Sequence, residues 1–189
     1  LIKISLILKP FFELIFRGDR FVDPINNKSY SYFFPYGYNK LRKNALSPGT
    51  LSLERHRLLW IFLEKETDFF NTENKILHIA PEQCFYKSFK KNFESYTTCD
   101  LNSPIAEIRA DVCNLPFDEN EFDFVLCNHV LEHVYDDEKA MKEIYRVLKH
   151  EGKAILQVPL DNTLEKTIDG RDISDQNLRN KLFGQYDHL

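Results

Sequence analysis

Four short apolar runs in the second part of the chain each end at residues that could bind a ligand. These residues are Ala80, Pro81 and Glu82 after the first run, Asp100 and Leu101 after the second, Asp111 and Val112 after the third, and Asn128 and His129 at the fourth. Asp100 follows the first turn by about 20 residues, the spacing at which a carboxylate accepts the hydroxyls of an adenosine ribose. His129 adds an imidazole, which exchanges a proton near neutral pH and is therefore a candidate general base.

Helical stretches separate these runs, an alternation typical of an α/β fold built from βαβ units, with a Rossmann-like, doubly wound and mainly parallel sheet. We predict strands at 76–80, 95–99, 106–110, 122–128 and 153–159. We predict helices at QCFYKSFKKN, at VYDDEKAMKEIYRVLK and near 175–183. In the second helix the buried stripe is expected at Met141, Ile144, Tyr145 and Leu148. The carboxyl ends of parallel strands lie at one edge of a sheet. The residues named above at the ends of the four apolar runs are therefore expected to share a cleft.

The first 70 residues differ in character from the rest and are predicted to form an N-terminal cap. FVDPINNKSYSYFFPYGYNK combines turn residues with alternating aromatics, which indicates a hairpin element. TLSLERHRLLWIFLEKE has helical periodicity, with Thr50 or Ser52 as the expected N-cap. The apolar residues expected to be buried are Leu53, Leu58, Trp60, Ile61 and Leu63. We therefore predict a cap over 1–70 and a Rossmann-like domain over 71–189.

The composition is that of a folded protein in a reducing compartment. The 189 residues are 43% hydrophobic and 29% charged, which excludes collagenous and wholly disordered classes. The four cysteines include no Cys-x-x-Cys pair, so free thiols and a cytoplasmic location are expected. Lys and Pro residues interrupt LIKISLILKPFFELIF before it reaches the ~20 apolar residues of a spanning helix. We expect no transmembrane segment.

Charge is divided unequally along the chain. Residues 1–60 hold 10 Lys and Arg against 4 Asp and Glu, a net charge of +6, whereas the whole chain has −4. The remaining residues therefore carry −10. A basic first part is compatible with an acidic ligand or nucleic acid, and equally with internal complementarity between the two parts.

The stretch from Lys75 to Pro159 resembles the class I S-adenosylmethionine-dependent methyltransferases. The likeness is carried by ADVCNLPFDENEFDFVLCNHVLEHVYDDEKAMKEIYRVLKHEGKAILQVP, which fits the family pattern D-x-x-x-L-P-F-x-x-x-x-F-D-x-V. The resemblance implies that Asp100 and Leu101 lie at the ribose, that Asp111 accepts from the adenine amino group, and that the Val112 N–H meets the adenine ring. It further implies that Asn128 and His129 lie beside the sulfonium and its methyl group.

The first loop departs from the family pattern. Where the family has a glycine-rich turn, this chain has HIAPEQC, with Ala80, Pro81, Glu82 and Cys84 at the positions of small residues. APE at this place, together with SLERHRLLW and CNHVLEHV, resembles a bacterial branch of the family. We expect an altered pocket in which Glu82 binds the cofactor's ammonium group. The alternative is that Glu82 blocks the site and leaves an inactive binding module with the same fold.

A second departure is the length of the sheet. The family sheet usually continues with two further strands, and the 30 residues after Pro159 contain no convincing strand. We therefore expect a shortened sheet that lacks its last strands. An exposed sheet edge favours pairing with another chain, so a homodimer through this edge is a further expectation.

The string His129-x-x-Glu132-His133 has two possible interpretations. Two imidazoles and a carboxylate at this spacing could share one helix face and bind a divalent metal. The string follows a predicted strand rather than lying within a long helix, so we favour a role for Glu132 and His133 in bracing the loop. We predict no metal site.

Together these observations predict a bacterial, cytoplasmic methyltransferase. The expected reaction is transfer of the S-adenosylmethionine methyl group to a small-molecule acceptor, leaving S-adenosylhomocysteine, with His129 as general base. Nucleic acid is a less favoured acceptor, and an inactive methyltransferase-fold module is the alternative from another functional class.

Overall fold

The computed structural model describes residues 10–37, 40–160, 163–166 and 168–183. Two units are formed. One consists of the chain up to Asn71 together with Gln83–Asn92, and the other of Thr72–Glu82 and the chain from Phe93 onward.

The first unit contains two small antiparallel hairpins, preceded by a helical turn over residues 10–15. Strand β1 (Arg17–Asp23) pairs with β2 (Lys28–Tyr30), and β3 (Phe34–Tyr36) pairs with β4 (Arg42–Leu46). The buried Asp23 closes the first hairpin, since its Oδ1 accepts from the Ile25 N–H at 3.0 Å. The predicted aromatic hairpin element is thus two hairpins in succession.

Helix α1 (Glu54–Glu66) begins later than the predicted N-caps Thr50 and Ser52. Its N-cap position is Leu53, whose N–H donates to His56 Nδ1 at 3.1 Å. The prediction was wrong because the Thr50 hydroxyl donates instead to the buried carboxylate of Asp23, at 2.5 Å. The same oxygen accepts from the Ser52 N–H at 3.2 Å rather than from an N–H of the first helical turn.

The buried face of α1 is also rotated from the predicted one. His56, Leu59, Trp60 and Leu63 are buried. Leu58 and Ile61, which were expected to be buried, are exposed. The buried face packs on helix α2 (Gln83–Asn92), where the Trp60 ring stacks on Phe89 with centroids 5.8 Å apart.

The second unit is built on a five-stranded parallel sheet with the order β7-β6-β5-β8-β9. Its strands are β5 (Ile76–Ile79), β6 (Tyr96–Asp100), β7 (Ile108–Arg109), β8 (Phe122–Asn128) and β9 (Leu148–Gln157). The chain winds outward from β5 in both directions, as the α/β prediction required, so the switch point lies between β5 and β8. Among the described residues, no strand follows Gln157.

Helix α3 (Asp137–Val147) connects β8 to β9, and α4 (Gln176–Phe183) follows near the end. The N-cap of α3 is Asp136, whose Oδ1 accepts from the Lys139 N–H at 3.0 Å. The buried residues of α3 are Ala140, Ile144 and Val147.

The predicted stripe on α3 was correct only at Ile144. Tyr145 is 81% exposed, Met141 is exposed, and Leu148 is already the first residue of β9. Small Ala140 permits close packing on the sheet, so the buried face is shifted by one residue from the one that the larger apolar side chains suggested.

An ion pair on α3 fixes the loop that follows β7. Arg146 donates to the Leu115 and Phe117 carbonyls at 2.9 and 2.7 Å, and Glu143 accepts from the Leu115 N–H at 2.9 Å. Glu143 also bonds Arg146 directly at 2.8 Å. The hydrogen bond from Arg146 lowers the pKa of the Glu143 carboxyl to about 2. This clamp holds the loop that starts at Asp111.

We predict that Glu143→Gln destabilises the protein in a pH-dependent way. The Glu143 pKa is lower in the folded chain than the ~4.3 of an unfolded one, so its stabilisation is complete above pH ~4.3 and disappears as the pH falls toward about 2. Urea unfolding should show a loss of about 0.5–1 kcal/mol at neutral pH, because the pair is partly screened by solvent.

The control is Glu138→Gln, which changes an exposed carboxylate of the same helix that lies 3.7 Å from Lys142. It should leave the free energy of unfolding nearly constant. A loss in Glu143→Gln of the same size at low and at neutral pH would contradict an electrostatic role for Glu143.

Candidate functional site

A cleft of about 490 Å³ lies beyond the carboxyl ends of β5 and β6. This volume is within the roughly 300–1,000 Å³ typical of small-ligand sites. Among the described residues that line it, Asp100, Asp111 and Asp136 are acidic, His129 and His133 are imidazoles, and none is Lys or Arg. The cleft therefore favours neutral or cationic ligands.

Asp100 ends β6 and lies in the lining of the cleft. Its Oδ1 accepts from the N–H groups of Asn102 at 2.6 Å and Ser103 at 2.5 Å, which fixes the turn after the strand. A carboxylate has about four acceptor positions, so Oδ2 keeps two for a ligand. That is enough for the two hydroxyls of a ribose.

Asp111 follows the short strand β7 and lines the same cleft, as do Leu101 and Val112. Asp111 Oδ1 accepts from the Cys113 N–H at 2.8 Å, so its second oxygen is left for a ligand donor. Val112 is buried and belongs to the hydrophobic core below the cleft. The two predicted carboxylates are thus brought to one cavity.

The glycine-free first loop adopts a backbone that normally favours glycine. Ala80 lines the cleft with φ +51°, in the left-handed region, and its N–H donates to the Cys99 carbonyl at 2.9 Å. Pro81 is buried and is not part of the cleft lining. Ala80 therefore adopts, at a cost, a left-handed conformation that glycine adopts without strain.

Glu82 does not line the cleft, and its carboxylate is turned back toward β5. Its Oε2 lies 2.6 Å from Nε2 of His78, a fully buried residue of that strand. His78 Nδ1 in turn lies 2.8 Å from the Tyr96 hydroxyl. This chain of contacts fixes Glu82 beside the first loop, away from the position in which it would fill the cleft.

Asn128 and His129 lie at the carboxyl end of β8. Asn128 is 3% exposed and is not part of the cleft lining, and both atoms of its amide lack hydrogen-bond partners among the described residues. His129 lines the cleft with φ +54°, and its N–H donates to the Gln157 carbonyl at 2.8 Å. A buried amide without partners and a strained neighbour are typical of ligand sites.

Glu132 lies in a single turn of 3-10 helix, Leu131–His133, and contacts His129 directly. Its Oε1 is 3.1 Å from His129 Nδ1. Burial would raise the pKa of the Glu132 carboxyl, but the hydrogen bond with His129 and the nearby imidazoles outweigh this effect and lower it. The carboxylate is therefore ionised at neutral pH.

Sequence reasoning did not single out Asp136, and it favoured His133 as a brace of the loop rather than as a ligand contact. Asp136 lines the cleft while it caps α3, and His133 lines it from the 3-10 turn. The feature of the sequence that could have pointed to both residues is their position at the start of the helix that follows the fourth apolar run. In the part of the chain that the structure describes, no group of three or more His, Cys, Asp or Glu is placed to hold a metal ion.

Comparison with known proteins shows what part of the second unit is similar to. A family model described as a methyltransferase domain matches residues 74–156. The match covers less than half of the chain, and the sheet, switch point and cleft of this segment fit such a domain. None of the helices that the structure describes is long and apolar enough to cross a membrane.

Individual relatives are similar over shorter stretches. An uncharacterised protein of Methanocaldococcus jannaschii is 48% identical over 60 residues, which cover 32% of this chain and 26% of that protein. The 2-phytyl-1,4-naphtoquinone methyltransferase of Nostoc punctiforme is 44% identical over 52 residues, 28% of this chain and 23% of that protein. The alignments thus span about a quarter of the length of these relatives. The solved YcgJ protein of Bacillus subtilis is 22% identical, with 55% of this chain and 50% of that chain covered and a TM-score of 0.44.

We predict that Ala80→Gly stabilises the protein. A left-handed conformation costs a non-glycine residue roughly 1–2 kcal/mol, and the added chain entropy of glycine offsets about half of that. The free energy of unfolding should therefore rise by about 0.5–1 kcal/mol, as measured by denaturant titration.

Ala110→Gly is the matched control. Ala110 also lines the cleft but is not among the residues with positive φ, so glycine there should destabilise the protein by about 0.5–1 kcal/mol. Equal effects of the two substitutions would show that the Ala80 backbone is not strained.

Proposed function

We propose that this protein is a methyltransferase that uses S-adenosylmethionine to methylate a small-molecule acceptor. The observation that carries the proposal is the convergence of Asp100 and Asp111 on one cleft, each with one carboxylate oxygen held by the backbone and the other left for a ligand. Two such carboxylates at neighbouring strand ends suit the ribose hydroxyls and the adenine amino group of a nucleoside.

The residues that line the cleft fit the adenosine part of the cofactor. Asp100 with Leu101 would hold the ribose, and Asp111 with the Val112 N–H would hold the adenine. Ala80 lines the cleft at the turn below the amino-acid end, whereas Pro81 and Glu82 lie outside the lining and Glu82 is held by His78. The buried Asn128 amide, which has no partner among the described residues, is available to the same end.

When bound, S-adenosylmethionine supplies a methyl group on a positively charged sulfur, which is electrophilic without help from a metal. The protein's task is to align the acceptor and exclude water. The apolar side chains of the cleft, such as Val130 and Val134, limit access of water. His129, a third exposed, is the residue best placed to take a proton from the acceptor.

Several observations support a small, uncharged acceptor in a reducing compartment. Among the described residues, the cleft lining holds three aspartates and no Lys or Arg, which disfavours a nucleic-acid backbone. Among the similar proteins, those from Nostoc punctiforme and Staphylococcus carnosus are named as naphthoquinone and demethylmenaquinone methyltransferases. All four cysteines are free thiols, as expected in the cytoplasm.

We predict that Asp100→Asn weakens S-adenosylmethionine binding without loosening the fold. The amide oxygen can still accept from Asn102 and Ser103, whereas the amide nitrogen in place of Oδ2 cannot accept from a hydroxyl. Isothermal calorimetry should show micromolar binding by the wild type and at least a tenfold weaker Kd in the variant, about 1.4 kcal/mol.

Asp118→Asn, in an exposed loop outside the cleft, removes the same charge and should leave the Kd unchanged. Absence of S-adenosylmethionine binding by well-folded wild-type protein would favour the non-catalytic module and reject the enzyme.

We also predict opposite effects of Asn128→Leu on stability and on binding. A buried amide without partners costs about 1–3 kcal/mol, and leucine has a similar shape without polar atoms. The ligand-free variant should therefore be more stable by about 1 kcal/mol, while calorimetry should show weaker S-adenosylmethionine binding. A destabilised variant with unchanged affinity would contradict a role for Asn128 in holding the cofactor.

A further inference from the structure

The pairing of His129 with Glu132 defines which ring nitrogen of His129 carries its proton. The Glu132 side chain is only 9% exposed, and its lowered pKa keeps it ionised. An ionised carboxylate only accepts hydrogen bonds, so His129 Nδ1, 3.1 Å from Glu132 Oε1, must be the donor. In the neutral ring, Nε2 then holds the basic lone pair.

The backbone of His129 fixes the ring in the cleft. Its φ of +54° is a conformation that non-glycine residues adopt at a cost, and its N–H is anchored to the Gln157 carbonyl at 2.8 Å. The side chain is 32% exposed and lines the cleft, while Nδ1 is occupied by Glu132. Nε2 is therefore the ring nitrogen left to meet an acceptor.

We propose that Glu132 is a positioning residue that fixes the Nδ1–H tautomer of His129, and that the acceptor is a weakly acidic hydroxyl compound, a phenol or an enol. This inference rests on the proposed function and names the class of its acceptor. The sequence pattern does not assign this role, because it favoured bracing of the loop by Glu132 and His133, with metal binding as the alternative.

The chemistry of the cleft selects this class of acceptor. A carboxylate acceptor needs no base and is repelled by the three aspartates of the lining. An ammonium acceptor would lie close to a positively charged sulfonium. A phenol, with a pKa of about 10, is acidic enough for an imidazole base, whereas an aliphatic alcohol is a far weaker acid.

The transfer balances without a further reactant. The acceptor O–H bond breaks, and its proton goes to His129 Nε2. An oxygen electron pair forms the new bond to the methyl carbon, while the bond from that carbon to sulfur breaks and leaves its pair on sulfur. The products are a methyl ether, S-adenosylhomocysteine and a protonated His129, whose positive charge the ionised Glu132 stabilises.

The tautomer of His129 tests the role of Glu132 in the full chain without any acceptor. Long-range proton–nitrogen NMR on isotope-labelled protein at pH about 8 distinguishes the two neutral tautomers, and the His129 signals are assigned by their loss in His129→Asn. We expect the Nδ1–H form in the wild type. Glu132→Leu, which removes the acceptor, should return the ring to the Nε2–H form.

Glu138→Leu is the control, since Glu138 is exposed and lies on α3 outside the cleft lining. It should leave the His129 tautomer unchanged. The wild-type measurement alone is decisive if Glu132→Leu does not fold, because an Nε2–H tautomer in the wild type would overturn the proposal.

Three acceptors that share one ring system test the substrate class: naphthol, naphthalenemethanol and naphthylmethylamine. Formation of S-adenosylhomocysteine should be found with naphthol and should fall at least tenfold in Glu132→Leu, while the Kd for S-adenosylmethionine is unchanged. Transfer to the alcohol or the amine at the rate seen with naphthol would overturn the proposal. If the well-folded wild type does not bind S-adenosylmethionine at all, the proposed function itself is rejected.

Discussion

The parallel register of three central strands is the constraint on which the site depends. Ile79 of β5 pairs with Cys99 of β6 on one side and with Cys127 of β8 on the other. The residue after each partner, Ala80, Asp100 and Asn128, therefore leaves the sheet at the same edge. All three partners are buried, so a slip of one residue would send each of these side chains to the opposite face of the sheet and disrupt their packing. The hydrophobic core thereby fixes the positions of residues that contribute nothing to it.

The edge of the sheet also accumulates unfavourable local features. Ala80 and His129 both have positive φ, and the Asn128 amide is buried without partners among the described residues. Each feature costs free energy, and the packed sheet below supplies the stability that keeps them in place. Positive φ also occurs elsewhere in the described residues, for example at Leu51 and Glu151, so the cleft is distinguished by its volume and its carboxylates as well as by these strained residues.

Polar contacts of α3 and of the residue before it stabilise the side of the cleft that contains Asp111 and Asp136. Asp136 caps the helix, and the Glu143–Arg146 pair binds the backbone of the loop after Asp111. The opposite side is held by the contact of Glu82 with buried His78. Carboxylates on the two sides therefore have different tasks: some bind backbone or imidazole, and others keep acceptor positions for a ligand.

The sequence alone determined the strand pattern, because alternating apolar runs and helical stretches have few compact arrangements, and it placed Asp100, Asp111 and His129 at strand ends. It did not determine which face of α1 or α3 is buried, since Leu58, Ile61 and Tyr145 are apolar and still exposed. Nor could it decide whether Glu82 fills the cleft or how Glu132 is used. Those outcomes depend on side-chain direction and on partners distant in the chain, such as Asp23 for Thr50, and only tertiary packing brings them within hydrogen-bond distance.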